Sequence, residues 1–279
     1  MLIKKLDNLD NKEIKIKDDE KPTFNENIFQ PYFRLNISGA SGTGKSNAFI
    51  NLYEKMYPQL TMSYVVSASL HNDKKQEQAF LDRENVMVFD NPSIELLQSI
   101  TEEVESIGEK WREYNKMKKL YDKWKRLGYD ETKLSPKELI MLYKINFQPN
   151  MMPYASNNKP NILLFLDDLA GLDILKHKSF ENMVIKARHK MLNIALTNQS
   201  WKMVSPVWRR NSTAFMIFKT LDLNQIKGIF DEIQGLFKSF DEFMEAYNYA
   251  TEEKHDFLYV DINDKTAPIR KNFNEVITF

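Results

Sequence analysis

The run Gly39-Ala40-Ser41-Gly42-Thr43-Gly44-Lys45-Ser46 constrains this chain more than any other stretch of it. It follows an apolar segment of β character, FRLNIS (33–38), and precedes a helical one, NAFINLYEKM (47–56). In that setting the glycines at Gly39, Gly42 and Gly44 let the backbone curl and aim successive N–H groups at one point, with no Cβ in the way. Lys45 adds a point charge for β- and γ-phosphates, Ser46 a hydroxyl for Mg²⁺, and the following helix the positive end of its dipole. Residues 39–46 therefore form a G-x-x-x-x-G-K-[ST] P-loop and are the expected site for the phosphates of ATP and for Mg²⁺, the ion being held by Ser46.

Such a loop needs a sheet behind it, and the rest of the chain supplies one. Short β-rich runs at 33–38, 64–67, 86–90, 162–167, 193–197, 214–218 and 257–261 are separated by stretches that can each carry a helix. This predicts an α/β fold with a largely parallel central sheet. ILLFL (162–166) is apolar at consecutive positions, as expected for a strand covered on both faces near the centre of the sheet.

That strand ends in Asp167-Asp168. Beside a P-loop, a carboxylate there can reach the metal, so Asp167 is expected to serve Mg²⁺ and Asp168 to polarise the attacking water as general base. The alternative is that the pair caps the helix that follows. Thr197-Asn198-Gln199 closes the run LNIAL, where Gln199 is expected to touch the γ-phosphate or orient water, although NQS is also an ordinary turn composition. Arg188 precedes LNIAL, and Arg209-Arg210-Asn211 precedes the run AFMIF. Any of these arginines can neutralise transition-state charge, in its own subunit or across an interface, and surface arginines without such a role are common.

One segment departs from the α/β rhythm. Between 92 and 158, apolar residues at Ile100, Val104, Ile107, Trp111, Tyr114, Met117, Tyr121 and Trp124 recur at steps of three and four, which predicts one face of a long helix stopped by Gly128. Ser135-Pro136-Lys137-Glu138 then predicts an N-cap, a proline in the first turn and a capping box for a second helix. NMMPYASNNKP (150–160) reads as a loop returning to the sheet. The long helix is acidic early and basic late, which suits a solvated face along a helix dipole and also permits a DNA or partner contact. The expected organisation is a charged N-terminal arm or edge strand over 1–30 and one P-loop ATPase domain over 31–279, with a helical insertion at about 92–158.

Composition narrows the remaining choices. Without cysteine there is no disulfide, thiolate zinc site or cysteine nucleophile, which suits a reducing intracellular compartment. Four scattered histidines lack metal-ligand spacing. Lysine plus arginine equals aspartate plus glutamate at 39 each, so an overall basic nucleic-acid coat protein is excluded while segregated basic patches are not. No apolar run approaches the roughly 20 residues of a membrane span, and the N-terminus has no secretory-signal pattern.

The order GASGTGKS, ILLFLDD, Arg188 ahead of LNIALTNQ, and WRRN before a strand resembles the FtsK-HerA superfamily of DNA-pumping P-loop ATPases, and most of all the packaging ATPases of large DNA viruses and virophages. The resemblance covers most of 33–218 outside the insertion. It implies a RecA/FtsK-HerA-like P-loop NTPase fold and Mg²⁺-dependent ATP hydrolysis driving double-stranded DNA into a preformed capsid. The implied catalytic residues are Lys45, Asp168, Gln199, Arg188 and Arg209, with Ser46 and Asp167 on the metal. The implied partners are DNA gripped without regard to sequence, a homo-oligomeric ring of five or six copies with nucleotide between subunits, and a capsid or portal vertex. The implied location is the infected cell or the virion. Asp168 stands where many cellular relatives carry glutamate, and the insertion has no evident counterpart. A different P-loop NTPase, helicase-like or a small-molecule kinase, is the alternative reading.

Overall fold

Residues 2–5, 32–72, 74–81, 83–145, 160–169 and 172–279 are described in the structure, a computed structural model. In chain order its elements are β1 (Leu2–Lys5), β2 (Arg34–Ser38), α1 (Lys45–Met56), β3 (Met62–Ser67), α2 (Lys74–Phe80), β4 (Val86–Phe89), α3 (Ile94–Arg126), α4 (Pro136–Ile145), β5 (Ile162–Asp167), α5 (Lys178–Lys186), β6 (Leu192–Asn198), α6 (Pro206–Asn211), β7 (Ala214–Phe218), α7 (Leu223–Ile233), α8 (Phe240–Ala250), β8 (Phe257–Asp261), β9 (Ile269–Lys271) and β10 (Glu275–Thr278). The chain divides into two compact units, one of residues 1–100 with 161–279 and the other of residues 101–160.

The first unit is built on one sheet of ten described strands in the order β1-β10-β9-β8-β7-β2-β6-β5-β3-β4. The six strands from β7 to β4 are mutually parallel, and β8, β9, β10 and β1 extend the sheet antiparallel. This is the α/β architecture of a P-loop NTPase, with a parallel core. All seven expected strands are present. β9 and β10 were not expected, and β1 pairs with β10 at the sheet edge with Leu2 opposite Thr278. The remainder of the expected arm, residue 1 and residues 6–30, lies outside the described residues.

Alternation along the strands supplies two apolar faces. Leu35, Ile37, Leu163, Phe165, Met216 and Phe218 turn to one side, against Phe49, Leu52, Tyr53 and Met56 of α1. There Phe49 stacks on Phe165 with ring centroids 3.8 Å apart. Phe215, Ile217, Leu258 and Val260 turn to the other side, against Ile226 and Ile229 of α7 and Phe243 and Tyr247 of α8. Burial of each such side chain contributes roughly 1.5–3 kcal/mol, which makes the sheet a rigid platform between two helical layers. β5 and β6 are buried along their whole length, as the consecutive apolar run of β5 predicts.

The second unit is helical. α3 is longer than the apolar spacing predicts, starting at Ile94, and the chain enters the second unit within it. It closes at Gly128, whose φ of 68° only glycine adopts without cost, the Gly128 N–H bonding the Lys125 carbonyl. The capping box of α4 forms as read from the sequence: Ser135 Oγ accepts from the Glu138 N–H at 3.3 Å, and Glu138 Oε2 accepts from the Ser135 N–H at 2.8 Å. Met117 and Leu120 of α3 pack with Leu134 and with Leu142 of α4 as a separate core. The returning loop at 150–160 lies almost wholly outside the described residues.

Candidate functional site

In a parallel sheet the carboxyl ends of the strands share one edge, and the P-loop, the acid pair and Gln199 all follow such ends. β6 lies between β2, which leads into the P-loop, and β5, which ends in the acids. Strand order therefore sets Thr197 and Asn198 between the phosphate loop and the carboxylates. Asn198 serves the loop: its carbonyl accepts the Gly39 N–H at 3.2 Å and its side chain accepts Ser38 Oγ at 3.1 Å. Thr197 serves the acids: its hydroxyl donates to Asp167 Oδ1 at 2.6 Å and accepts the Asp168 N–H at 3.0 Å.

The loop has the backbone its glycines allow. Gly42 and Gly44 take φ of 75° and 100°, and Gly44 caps α1, which starts at Lys45. Gly39 is required for a different reason: a Cβ there would stand 2.6 Å from Phe218 Cβ. Lys45 Nζ donates to the carbonyls of Gly39 at 2.8 Å and Ala40 at 2.7 Å, folding its charge over the loop. Burial pushes the Lys45 ammonium below the usual lysine range, and Asp167 and Asp168 pull it back.

Asp167 is 1% exposed and its two oxygens are enclosed by donors. Besides Thr197, Ser46 Oγ lies 3.2 Å from each oxygen, and Gln76 Nε2 donates to Oδ2 at 2.7 Å. Burial raises its carboxyl above the ordinary range, against the pull of Thr197, Gln76 and Ser46. Gln76 is itself buried, and its orientation is set by the Ser67 hydroxyl, which donates to Oε1 at 3.2 Å. Asp168 is exposed at the strand end, in the left-handed region at φ 52°, which aspartate tolerates better than most residues. Gln199 Nε2 donates to its Oδ1 at 3.1 Å. The next helical turn, Asp173–Lys176, is preceded by Leu172 with no side-chain cap, so Asp168 is not a helix cap.

These groups line a cleft of about 630 Å³, a suitable size for a nucleotide, which also touches Ser69, Lys75 and His255. Ser46 and Asp167 offer hard oxygen donors side by side next to the cradle, which fits Mg²⁺, an ion that completes its octahedron with phosphate oxygens and water. Among the described residues no three acidic, histidine or cysteine side chains gather to hold a metal without such help. Bound there, the ion would neutralise charge on the β- and γ-phosphates.

Arg188 and Arg209 are not at this edge. Both precede the amino ends of their strands, β6 and β7, and the seven residues of β6 separate Arg188 from Gln199 by about 20 Å of strand. Arg188 stands near Arg34 at the start of β2. Arg34 Nε donates to the Asn211 carbonyl, and burial together with the Arg188 charge pushes the Arg34 guanidinium down. Arg209 lies 5.9 Å over the Trp201 ring, and its buried Nε has no partner among the described residues. Asn211 Nδ2 bonds back to the Val207 carbonyl within α6. Neither Arg188 nor Arg209 lines the cleft of its own chain.

Sequence reading missed Gln76, Lys75 and His255. Gln76 and Lys75 sit in KKQEQAF, a polar segment without a motif, and His255 reaches the P-loop only because β8 runs antiparallel beside β7.

Comparison with solved structures finds remote likenesses. The ATP-γ-S complex of the genome packaging NTPase B204 from Sulfolobus turreted icosahedral virus 2 is 14% identical, with a TM-score of 0.49, over 90% of this chain and 100% of that one. Its AMP complex is also 14% identical, with a TM-score of 0.48 over 86% and 98% of the two chains. The pCW3 conjugation coupling protein TcpA, solved with ATPγS, is 14% identical, with a TM-score of 0.44 over 84% of this chain and 59% of that one. No protein-family profile and no curated protein matches the sequence. No described helix is long and apolar enough to cross a membrane.

Proposed function

We propose that this chain hydrolyses ATP with Mg²⁺ and uses the energy to move double-stranded DNA into a preformed viral capsid. The observation that carries the hydrolytic part is the placement of Asp168 and Gln199 beside the phosphate cradle. The cleft holds a carboxylate that can take a proton from water and an amide that fixes it, 3.1 Å apart, just past the ends of neighbouring strands. The P-loop amides and Lys45 grip the phosphates, Ser46 and Asp167 hold the ion, and Thr197 keeps the two acids in register.

The DNA-translocating part rests on the motif order stated above and on the arginines. Arg188 and Arg209 precede the amino ends of β6 and β7 and do not line the cleft of their own chain, which supports contact with the cleft of another copy. A ring of five or six copies, with phosphate-backbone contacts that ignore sequence, is the assembly this suits, and a capsid or portal vertex is its dock. A viral protein working in the infected cell or the virion fits this role.

Steady-state ATP hydrolysis, with and without double-stranded DNA at two salt concentrations, tests the reading beside Lys45→Ala. Stimulation that fades with salt and vanishes in the variant is the expected result. Hydrolysis indifferent to DNA would shift the assignment to another P-loop NTPase, and the absence of Mg²⁺-dependent hydrolysis would overturn it.

A further inference from the structure

The P-loop is braced from one side at both ends. Gly39 abuts Phe218 at the end of β7, and Gly44 abuts His255, which immediately precedes Asp256 and β8. Phe218 pairs with Phe257 in the β7–β8 ladder, their rings 5.0 Å apart, so both braces belong to one rigid piece of sheet. The turn carrying His255 is fixed from β9 onward. Lys271 Nζ lies 3.1 Å from Asp256 Oδ2, and Asn272 Nδ2 donates to Asp256 Oδ1 at 2.9 Å while its N–H bonds the Phe257 carbonyl.

His255 Nδ1 stands 3.1 Å from the Thr43 carbonyl oxygen. A carbonyl only accepts, so Nδ1 is the nitrogen that carries the proton. In a trans peptide the C=O of one residue and the N–H of the next point in opposite directions. With the Thr43 oxygen held by His255, the Gly44 N–H faces the other way, and Gly44 is the capping residue from which the helix amides start. His255 itself has φ 73°, a conformation uncommon for a residue with a side chain, held by the bonds to Asp256 and Phe257.

We infer that His255 is a positioning residue for the phosphate cradle: its Nδ1–H fixes the Thr43–Gly44 peptide so that the Gly44 N–H is aimed at phosphate before nucleotide arrives. The inference rests on the nucleotide reading above. Without the bond the peptide can rotate, and the amide must be reoriented at the moment of binding. The ligand recognised through this device is the polyphosphate, not the nucleoside.

The test compares binding of a fluorescent ADP and of inorganic tripolyphosphate by the full chain and three variants. His255→Gly relaxes at φ 73° and lacks the donor. His255→Asn tolerates the same backbone and places an amide N–H near the Nδ1 position. His255→Asp has the shape of the Asn variant without its donor but with an added negative charge, so all variants are compared at high salt, where that charge is screened. The Gly and Asp variants should bind both ligands about tenfold more weakly, the weight of one hydrogen bond, and the Asn variant should return to within about threefold of the parent. The Asn/Asp contrast that persists at high salt stands even if the Gly variant fails to fold. Three results would overturn the inference: parental affinity in both donor-free variants, an Asn variant no better than Asp, or weakened ADP binding with unchanged tripolyphosphate binding, which would move His255 to the nucleoside. If the parent binds neither ligand, the nucleotide reading itself falls and takes this one with it.

Discussion

Thr197→Val replaces a hydroxyl by a methyl of nearly the same shape at a position 2% exposed, so it removes hydrogen bonds without opening a cavity. Two bonds go: the 2.6 Å donation to Asp167 Oδ1 and the 3.0 Å acceptance from the Asp168 N–H. A bond to a buried carboxylate is worth about 1.5–3 kcal/mol, and leaving the Asp168 N–H without its partner adds about 1 kcal/mol. The expected loss is therefore about 2–4 kcal/mol, which at a urea slope of about 3 kcal/mol per molar moves the unfolding midpoint down by roughly 1 M. The pH dependence follows from Asp167. Its carboxyl is already raised by burial, and Thr197 pulls it down, so the valine variant raises it further. A group with a raised folded-state pKa stabilises the fold while protonated and loses that contribution as pH rises through the folded value. The carboxylate part of the variant's deficit should thus be small at pH 4, below the raised folded-state value of the parent, and grow as pH rises through it toward neutral. Urea titrations at pH 4 and pH 7.5, with Thr197→Ser as the hydroxyl-retaining control, read both quantities. A midpoint within about 0.3 M of the parent at pH 7.5 (on the same slope), or a deficit larger at pH 4, would refute the reasoning.

Three further outcomes are expected. Gln199→Leu, which frees the Asp168 carboxylate, should lower ATP turnover by about a hundredfold with nucleotide affinity nearly unchanged, and an equal loss in both would make Gln199 a binding residue. Gly39→Ala places a Cβ 2.6 Å from a buried strand residue and should cost about 1–3 kcal/mol together with nucleotide binding, checked by melting and by fluorescent ADP. Arg188→Ala and Arg209→Ala, each inactive alone, should regain hydrolysis when mixed with Lys45→Ala, because an intact arginine of one copy then faces an intact cleft of another. No recovery with either arginine would end the assignment in trans.

How far the molecule could be read from its sequence depended on whether the deciding contact was local. The P-loop, the β5 strand with its acids, and the Ser135 capping box are short-range patterns whose physics lies within eight residues, and each is found where it was expected. Gln76 and His255 carry no such pattern. Gln76 meets Asp167 across 91 positions and His255 meets Thr43 across 212, so only strand order brings them in. Arg270 was equally hidden: a charged residue reads as surface, yet here it is fully buried, paired with Asp264 and bonded to the Ala267 and Phe273 carbonyls, which locks the β8–β10 meander. The arginines were legible as motifs ahead of two strands, but their neighbours Arg34 and Trp201 come from elsewhere in the fold and carry no local pattern.

The position of β6 has a consequence for genetics. Two consecutive residues at its end serve different parts of the site, Asn198 the P-loop and Thr197 the acid pair, and the strand is bonded along both sides with Ala195 at its middle fully buried. A bulky residue at Ala195 would displace both ends of the chemistry together. Variants that bind nucleotide without cleaving it should therefore arise at Asp168 and Gln199 and be missing from the body of β6, where every lesion ought to damage both phenotypes at once.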